Sequence, residues 1–157
     1  MIVKVKGIAY DLADSPLILL TDVEENRVLP IWVGMLEAHS IALALEGVPQ
    51  MRPLTHDVTL TICQTLGAHL TSVKISDLQD NTYFAELYIS SGKDNYLIDV
   101  RPSDAIALAL RAQIPINISK SLQGQMMDIQ EIMDDDIKNA METLSGESLA
   151  DYKKSLN

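Results

Sequence analysis

The chain has 157 residues, of which 47% are hydrophobic, and it carries a formal net charge of −10 at pH 7. This length suits one domain with a real core, and the apolar content excludes a disordered chain. The acidic charge excludes general coating of nucleic acid, and no apolar run approaches the roughly 18 residues that span a membrane. The single cysteine, Cys63, excludes an internal disulfide, and the N-terminus lacks a signal-peptide core. We therefore expect a globular protein in a reducing, cytoplasmic setting.

The first half of the chain is predicted to contain three strands followed by two helices. Alternating and apolar extended patterns predict strands at residues 2–10, 16–21 and 28–33. A helix rich in Ala and Leu is expected from Met35 to Glu46, because Gly47 follows as a stop signal. The second helix is expected to begin with Thr55 as its N-cap and to end near Gly67.

The second half repeats the pattern of three strands followed by a helix. Strands are predicted at residues 68–78, 83–89 and 96–100, and a short edge strand is expected at residues 115–118. Pro102 suits the first turn of a helix that continues to about residue 112. The string Ile-Ala-Leu-Ala-Leu occurs at residues 41–45 and again at 106–110, which indicates a duplication. The predicted fold class is therefore α+β, in which two strand-strand-strand-helix halves form largely antiparallel sheets packed against helices.

The composition changes after Leu122, which divides the chain into an α+β domain, residues 1–122, and an acidic helical or flexible tail, residues 123–157. The tail carries eight acids and three bases. Short amphipathic helices are predicted within it at residues 129–144 and 149–156. We expect the tail to lie at the periphery of the fold or to bind a protein partner.

His56 and Asp57 are the strongest candidates for catalytic residues. A histidine titrates near neutrality and can act as an acid, a base or a metal ligand, and a neighbouring carboxylate can orient it. Asp57 also falls in the first turn of a predicted helix, so capping explains it equally well. Glu37 stands near the start of the preceding helix, where an acid is electrostatically favourable, so its catalytic role has the same competitor.

A second cluster surrounds the start of the last predicted helix. Arg101 can bind a phosphate or a carboxylate through two parallel hydrogen bonds. It can equally form a structural ion pair with Asp57 or Glu37. Ser103 and Asp104 follow it, and Asp104 again lies where a helix favours an acid.

Three motifs follow one another along residues 1–122, and together they resemble the bifunctional nuclease family, or BFN domain. They are Leu-Pro-Ile-Trp-Val-Gly at 29–34, Arg-Pro-Leu-Thr-His-Asp at 52–57 and Arg-Pro-Ser-Asp-Ala-Ile-Ala-Leu-Ala at 101–109. The resemblance implies a compact α+β domain that cleaves RNA and DNA and associates into a homo-oligomer. The last ten residues, 148–157, resemble the first helix of a UVR module whose second helix is absent, so a truncated module and an accidental likeness both stay open.

The implied nuclease activity gives roles to seven residues. The catalytic set is Glu37, His56, Asp57 and Asp104, and the substrate-binding set is Arg52, Arg101 and Ser103. Carboxylates in such a set are compatible with a divalent metal such as Mg²⁺ or Mn²⁺, although the sequence does not assign one. RNA or DNA would be the substrate.

Two other functions fit the same residues. One is a non-enzymatic binding or regulatory domain, in which the Arg, Asp and His clusters form structural ion pairs or a protein interface. The acidic net charge favours this alternative, and so does the lack of a Gly-rich phosphate loop, a HExxH motif or a Gly-x-Ser-x-Gly elbow. The other is binding of a small anionic ligand at the helix N-termini.

Overall fold

The computed structural model describes residues 1–129, in which eight strands form one sheet beside four helices. The strands are β1 (Ile2–Tyr10), β2 (Pro16–Thr21), β3 (Arg27–Trp32), β4 (Ala68–Gln79), β5 (Thr82–Ser91), β6 (Asp94–Val100), β7 (Ile116–Ile118) and β8 (Met127–Asp128). The helices are α1 (Met35–Leu45), α2 (Thr55–Thr65), α3 (Pro102–Ala112) and α4 (Lys120–Gln123). The strand order is β6-β5-β4-β7-β1-β2-β3-β8, which confirms the predicted α+β class.

β7 joins the two halves into one sheet instead of lying at an edge. It pairs in parallel with β4, where Ile116 lies opposite Val73, and antiparallel with β1, where Ile116 lies opposite Val3. Every other strand pair is antiparallel. The prediction of an edge strand was wrong, because three residues carry too little pattern to show that both flanks of the strand are paired.

The three longer helices pack on one face of this sheet. Ile41 of α1 and Ile106 of α3 are fully buried in the same core as the inward side chains of β2 to β5. α1 also packs against α3, in which the alanines at positions 105, 107 and 109 are buried. In α3 the repeated Ile-Ala-Leu-Ala-Leu string is buried from Ile106 to Ala109, whereas in α1 only Ile41 of the string is buried.

The other face of the first half carries a second, smaller apolar cluster. Leu17 and Leu19 of β2 alternate with residues of the main core and pack instead with Ala9 and Val28. Ile129, the last described residue, packs against this cluster. β2 is consequently buried on both faces, which explains its continuous apolar sequence.

Helix α2 begins differently from the prediction. Its N-cap is Leu54 and Thr55 is its first helical residue, so the assignment of Thr55 as N-cap was wrong. The side chain of Asp57 performs the capping, because its Oδ2 accepts a hydrogen bond from the Leu54 backbone N–H at 2.8 Å. A carboxylate at the third helical position can accept from the N-cap N–H in this way, whereas a hydroxyl at the N-cap accepts from an N–H further into the helix.

No helix within residues 1–129 is long and apolar enough to cross a membrane. The predicted tail helices and the UVR-like segment lie outside the described residues, from residue 130 onward. The cytoplasmic setting and the protein partner of the tail stay predictions.

Candidate functional site

An acid stands in the first turn of each of the three longer helices. These acids are Glu37 in α1, Asp57 in α2 and Asp104 in α3. The positive end of a helix dipole stabilises a carboxylate at this position, so each acid is locally favourable. The fold brings the three turns near one another, and the side chains between them form a continuous polar cluster.

Arg101, the N-cap of α3, joins α1 to α3. Its Nη1 donates to Glu37 Oε1 at 2.8 Å, and its Nε and Nη2 donate to the two oxygens of Asp104 at 2.7 and 3.2 Å. The bonds to Asp104 and then to Glu37 raise the pKa of Arg101, so the guanidinium is permanently charged. A Cβ at Gly34 would collide with Glu37 Oε2, so glycine leaves room for this carboxylate. Of the two predicted ion pairs, Arg101 forms the one with Glu37.

His56 lies between a carboxylate and a hydroxyl. Its Nε2 is 3.1 Å from Asp104 Oδ1 and its Nδ1 is 3.0 Å from Ser40 Oγ. The side chain is 16% exposed. Burial acts to raise the pKa of Asp104, but hydrogen bonds from Arg101 and His56 outweigh it and hold the pKa below its usual value. Asp104 is therefore an ionised acceptor at neutral pH, and it, rather than Asp57, orients the imidazole.

Arg111, in the last turn of α3, ties the other side of the cluster together. Its Nε donates to Asp57 Oδ1 at 3.0 Å, and its Nη2 donates to the carbonyl and the hydroxyl oxygens of Ser40, both at 3.1 Å. Its Nη1 donates to the Ala107 carbonyl at 3.0 Å. The side chain is only 9% exposed, so this guanidinium is a buried connector between the three helices.

The polar network, as we call these seven side chains, is thus unbroken across α1, α2 and α3. In order of contact it runs through Glu37, Arg101, Asp104, His56, Ser40, Arg111 and Asp57.

Two clefts open on either side of the network. The larger, of about 750 Å³, is lined by Arg52, Asp57 and Arg111 among others. The smaller, of about 320 Å³, is lined by Glu37, Arg101 and Ser103 among others. Both volumes lie in the range of small-ligand sites.

The structure therefore separates the predicted residues into two groups. Five of them lie in the network: Glu37, His56, Asp57, Arg101 and Asp104. Arg52 and Ser103 are not in it and line opposite clefts. Arg52 is exposed and forms no ion pair within residues 1–129, whereas Ser103 is 7% exposed.

Sequence reasoning missed Ser40 and Arg111 as members of the site. Arg111 had a detectable signal, since it lies seven residues after Asp104 and therefore on the same face of α3. Ser40 had a weaker signal, as a polar residue at the start of an apolar helical run.

The carboxylates of the network do not fit a divalent metal as they stand. Within residues 1–129, no three His, Cys, Asp or Glu side chains group closely enough to hold one. Asp104 uses both oxygens for Arg101, and Asp57 divides its oxygens between Arg111 and the Leu54 N–H. Mg²⁺ needs several free oxygen ligands in near-octahedral geometry, and these oxygens are already hydrogen-bonded to guanidinium or amide donors.

Comparison with known proteins gives a consistent family. The model of the family described as the bifunctional nuclease domain matches residues 18–129. A Mycobacterium tuberculosis protein named as uncharacterized is 40% identical over 124 residues, which cover 78% of this chain and 74% of that protein. Bifunctional nucleases 1 and 2 of Arabidopsis thaliana are 32% and 31% identical, and the matches cover 71% and 69% of this chain but 36% and 34% of the plant proteins. The chain belongs to the bifunctional nuclease domain family.

Proposed function

We propose that this protein hydrolyses phosphodiester bonds of RNA and DNA. The names of the plant relatives support the activity, although the match spans about a third of each of them. The observation that carries the proposal is the placement of His56 against Asp104, with 3.1 Å between Nε2 and Oδ1. An imidazole oriented by an ionised carboxylate is a general acid–base device for phosphoryl chemistry.

Asp104 and His56 have different roles in proton transfer. The Asp104 carboxylate can only accept a hydrogen bond, so it fixes the hydrogen of His56 on Nε2. Nδ1 is left with the lone pair that takes a proton. Asp104 also stabilises the imidazolium that forms, since the positive charge lies beside a carboxylate.

Arg52 is the best phosphate ligand among the arginines of the site. Its guanidinium is exposed at the larger cleft and has no ion-pair partner within residues 1–129. Arg101 is also accessible, with 64% of its side chain exposed, but Glu37 and Asp104 already balance its charge. Arg52 therefore binds the scissile phosphate, whereas Arg101 and Ser103 contact the neighbouring nucleotide at the smaller cleft.

Glu37 and Asp57 act as positioning residues in this proposal. Glu37 holds Arg101 at 2.8 Å, and Asp57 holds Arg111 at 3.0 Å. Neither carboxylate contacts His56, so neither serves as its orienting partner. Their loss should disturb the geometry of the cleft without removing the acid–base pair itself.

The test compares cleavage of one end-labelled RNA and one end-labelled DNA strand by highly purified protein, with and without EDTA. His56→Ala should lower the rate by about 10²–10⁴-fold, the usual contribution of a general acid or base. His69→Ala is the matched control, because His69 is an exposed histidine on β4 outside the network. An active wild type that loses nothing on His56→Ala would sink the assignment. Because no step depends on a metal, activity should survive EDTA.

A second candidate is a non-enzymatic binding domain, favoured by the internal satisfaction of the polar network. Each of its charged groups already has a protein partner, as a structural ion-pair network requires. In that case, Arg101→Ala would abolish folding or assembly, and the wild type would cleave neither strand. Melting curves and the nuclease assay on the same samples separate the two functions.

We also propose that the protein forms a homo-oligomer through the outer edge of β6. This strand ends the sheet and exposes Tyr96, Leu97 and Ile98 by 51%, 57% and 44%. An edge of unpaired backbone groups with apolar side chains is a template for pairing with a second strand. Light scattering of the wild type and of Leu97→Lys tests this, and a monomeric wild type at micromolar concentration would refute it.

A further inference from the structure

We infer that Ser40 is the nucleophile of the proposed nuclease, attacking phosphorus to form a phosphoserine intermediate. The inference rests on the proposed function and extends it to a named reacting atom. His56 is the starting point, because both of its ring nitrogens are engaged. Nε2 faces Asp104 and Nδ1 faces the Ser40 hydroxyl at 3.0 Å. In this arrangement the lone pair on Nδ1 points to the Ser40 hydroxyl. A proton that His56 takes on Nδ1 therefore comes from Ser40.

The directions of the hydrogen bonds agree with an activated hydroxyl. Arg111 Nη2 donates to Ser40 Oγ at 3.1 Å, so the hydroxyl is free to donate its own hydrogen to His56 Nδ1. His56 Nε2–H then donates to Asp104. A hydroxyl, an imidazole and a carboxylate in series define a nucleophile, a base and an orienting group, whatever fold holds them. Arg111 adds a fixed positive charge beside the oxygen that becomes negative.

Ser40 lines neither cleft itself, but on α1 it lies between residues that line them. Glu37, three residues earlier, lines the smaller cleft, and Leu43 and Ala44, three and four residues later, line the larger. Residues at these spacings share one face of a helix. Arg111, which contacts the Ser40 hydroxyl, itself lines the larger cleft. A phosphate bound to Arg52 would therefore share this cleft with Arg111, the residue that donates to the Ser40 hydroxyl.

The reaction balances without any further reagent. In the first step the Ser40 Oγ–phosphorus bond forms, the bond from phosphorus to the leaving nucleotide oxygen breaks, and the serine proton passes through His56 Nδ1 to that oxygen. In the second step a water gives its proton to His56, its oxygen bonds to phosphorus, and the Oγ–phosphorus bond breaks. Ser40 then regains its proton from His56. The sum is the addition of one water across the phosphodiester bond.

The first experiment does not depend on nuclease activity. The intact protein is treated with a fluorophosphonate, which modifies activated serines, and the adduct is mapped by peptide mass spectrometry. Ser40 should be labelled in the wild type, and His56→Ala should reduce labelling by about 100-fold or more, because the base is lost. Ser90, a partly exposed serine on β5 outside the network, is the internal control. Labelling of Ser40 no faster than that of Ser90 would overturn the inference.

The second experiment uses the nuclease reaction itself. A labelled strand with a bridging sulfur at the scissile bond is mixed with the protein and quenched in acid, which should leave the label covalently on Ser40. Ser40→Ala should abolish this adduct and lower turnover by at least about a thousand-fold, as loss of a nucleophile does in related constellations. Melting curves of Ser40→Ala check that it folds.

The two experiments separate the failure of this inference from the failure of the proposed function. Undiminished cleavage by Ser40→Ala would refute the nucleophile and leave the nuclease standing. A wild type that cleaves neither strand but is labelled at Ser40 in a His56-dependent manner would refute the nuclease and leave an activated serine of another hydrolytic specificity. Failure of labelling and of adduct formation together would refute Ser40 in any role as nucleophile.

Discussion

Asp104 is the residue that the two sides of the candidate site share. Its Oδ1 accepts from both His56 and Arg101, and its Oδ2 accepts from Arg101. The hydrogen bonds that stabilise its charged form exist only in the folded protein. The carboxylate therefore links the stability of the fold to pH as well as orienting the imidazole.

Asp104→Asn should lower the free energy of unfolding most at neutral pH. The folded pKa of Asp104 lies below its usual value, so the unfolded chain binds this proton more readily, and the stabilisation is complete above about pH 5 and fades as the pH falls below about 4. Urea unfolding of both proteins between pH 3 and 7 measures this. A stability difference that stays constant, or grows in acid, would contradict the account.

The individual residues of the site were partly visible in the sequence. The ion pair of Arg101 with Glu37 was one of two that residue type and position near helix starts had suggested, and the acid–base role of His56 stays a prediction. The contact between His56 and Asp104 was not predicted, because 48 residues separate them and only the packing of α2 on α3 brings them together. Ser40 was missed for the same reason, since nothing within α1 indicates an imidazole opposite its hydroxyl.

Helix α3 supplies both a buried and an exposed arginine, and the two should behave differently. Arg111→Ala should lower the free energy of unfolding by about 2–3 kcal/mol, because it removes a buried side chain and leaves the partly buried Asp57 without its arginine and Ser40 without a donor. Arg101→Ala should lower it by less than about 1 kcal/mol, since the exposed ion pairs are screened by water. Urea unfolding at pH 7 compares them.

Equal losses of unfolding free energy in Arg111→Ala and Arg101→Ala would contradict this ranking. A large loss at Arg101 would indicate instead that the exposed end of the network is structural, as the non-enzymatic alternative requires. Arg111→Lys is a useful further variant, because it keeps the charge but cannot reproduce the planar fork that reaches Asp57 and Ser40 together.

The close packing of α1 on α3 depends on small side chains. Ala105 is fully buried, so Ala105→Leu should lower the free energy of unfolding by about 1–3 kcal/mol through overpacking. Ala112→Leu is the control in the same helix, at its partly exposed last residue, and should change stability by less than about 0.5 kcal/mol. Thermal unfolding of both variants measures the two losses of stability. Similar losses for Ala105→Leu and Ala112→Leu would mean that α1 and α3 are not tightly packed at Ala105.

The secondary-structure elements were well predicted where their signals are local. The strands and the helices appear in the expected order because alternation, Gly and Pro positions and apolar runs act within about ten residues. The start of α2 was misassigned because Thr55, a residue type that often occupies the N-cap, is here the first helical residue and follows a leucine N-cap. Sequence alone does not show that the Asp57 carboxylate, further into the helix, accepts from the Leu54 N–H.

At the scale of the whole molecule, β7 joins the two halves of the sheet, although the sequence pattern predicted that this strand would lie at an edge. β7 lies between β4 and β1, so three residues complete a sheet of eight strands from two halves. This pairing spans more than a hundred residues from Val3 to Ile116. A pairing between residues so far apart in the sequence is a non-local contact, and a local sequence pattern contains no signal for it.

A protein with a net charge of −10 should repel the proposed substrate, which is a polyanion. The positions of the charged side chains around the site reduce this difficulty. The carboxylates at the helix starts are each paired with arginine or histidine, whereas Arg52 is left exposed at the larger cleft. In the proposed function, Arg52, which has no ion-pair partner within residues 1–129, would attract phosphate locally, while the acidic net charge would repel nonspecific nucleic acid.

The most direct test of the central claim, that His56 and Asp104 act as one catalytic unit, is a double-mutant cycle on kcat/KM. RNA cleavage by the wild type is compared with that of His56→Ala, Asp104→Asn and the double variant, with His69→Ala as control. Groups that act as a unit are not additive, so the double variant should lose about as much as His56→Ala alone, about 10²–10⁴-fold. Losses that multiply, or a wild type without activity, would contradict the claim.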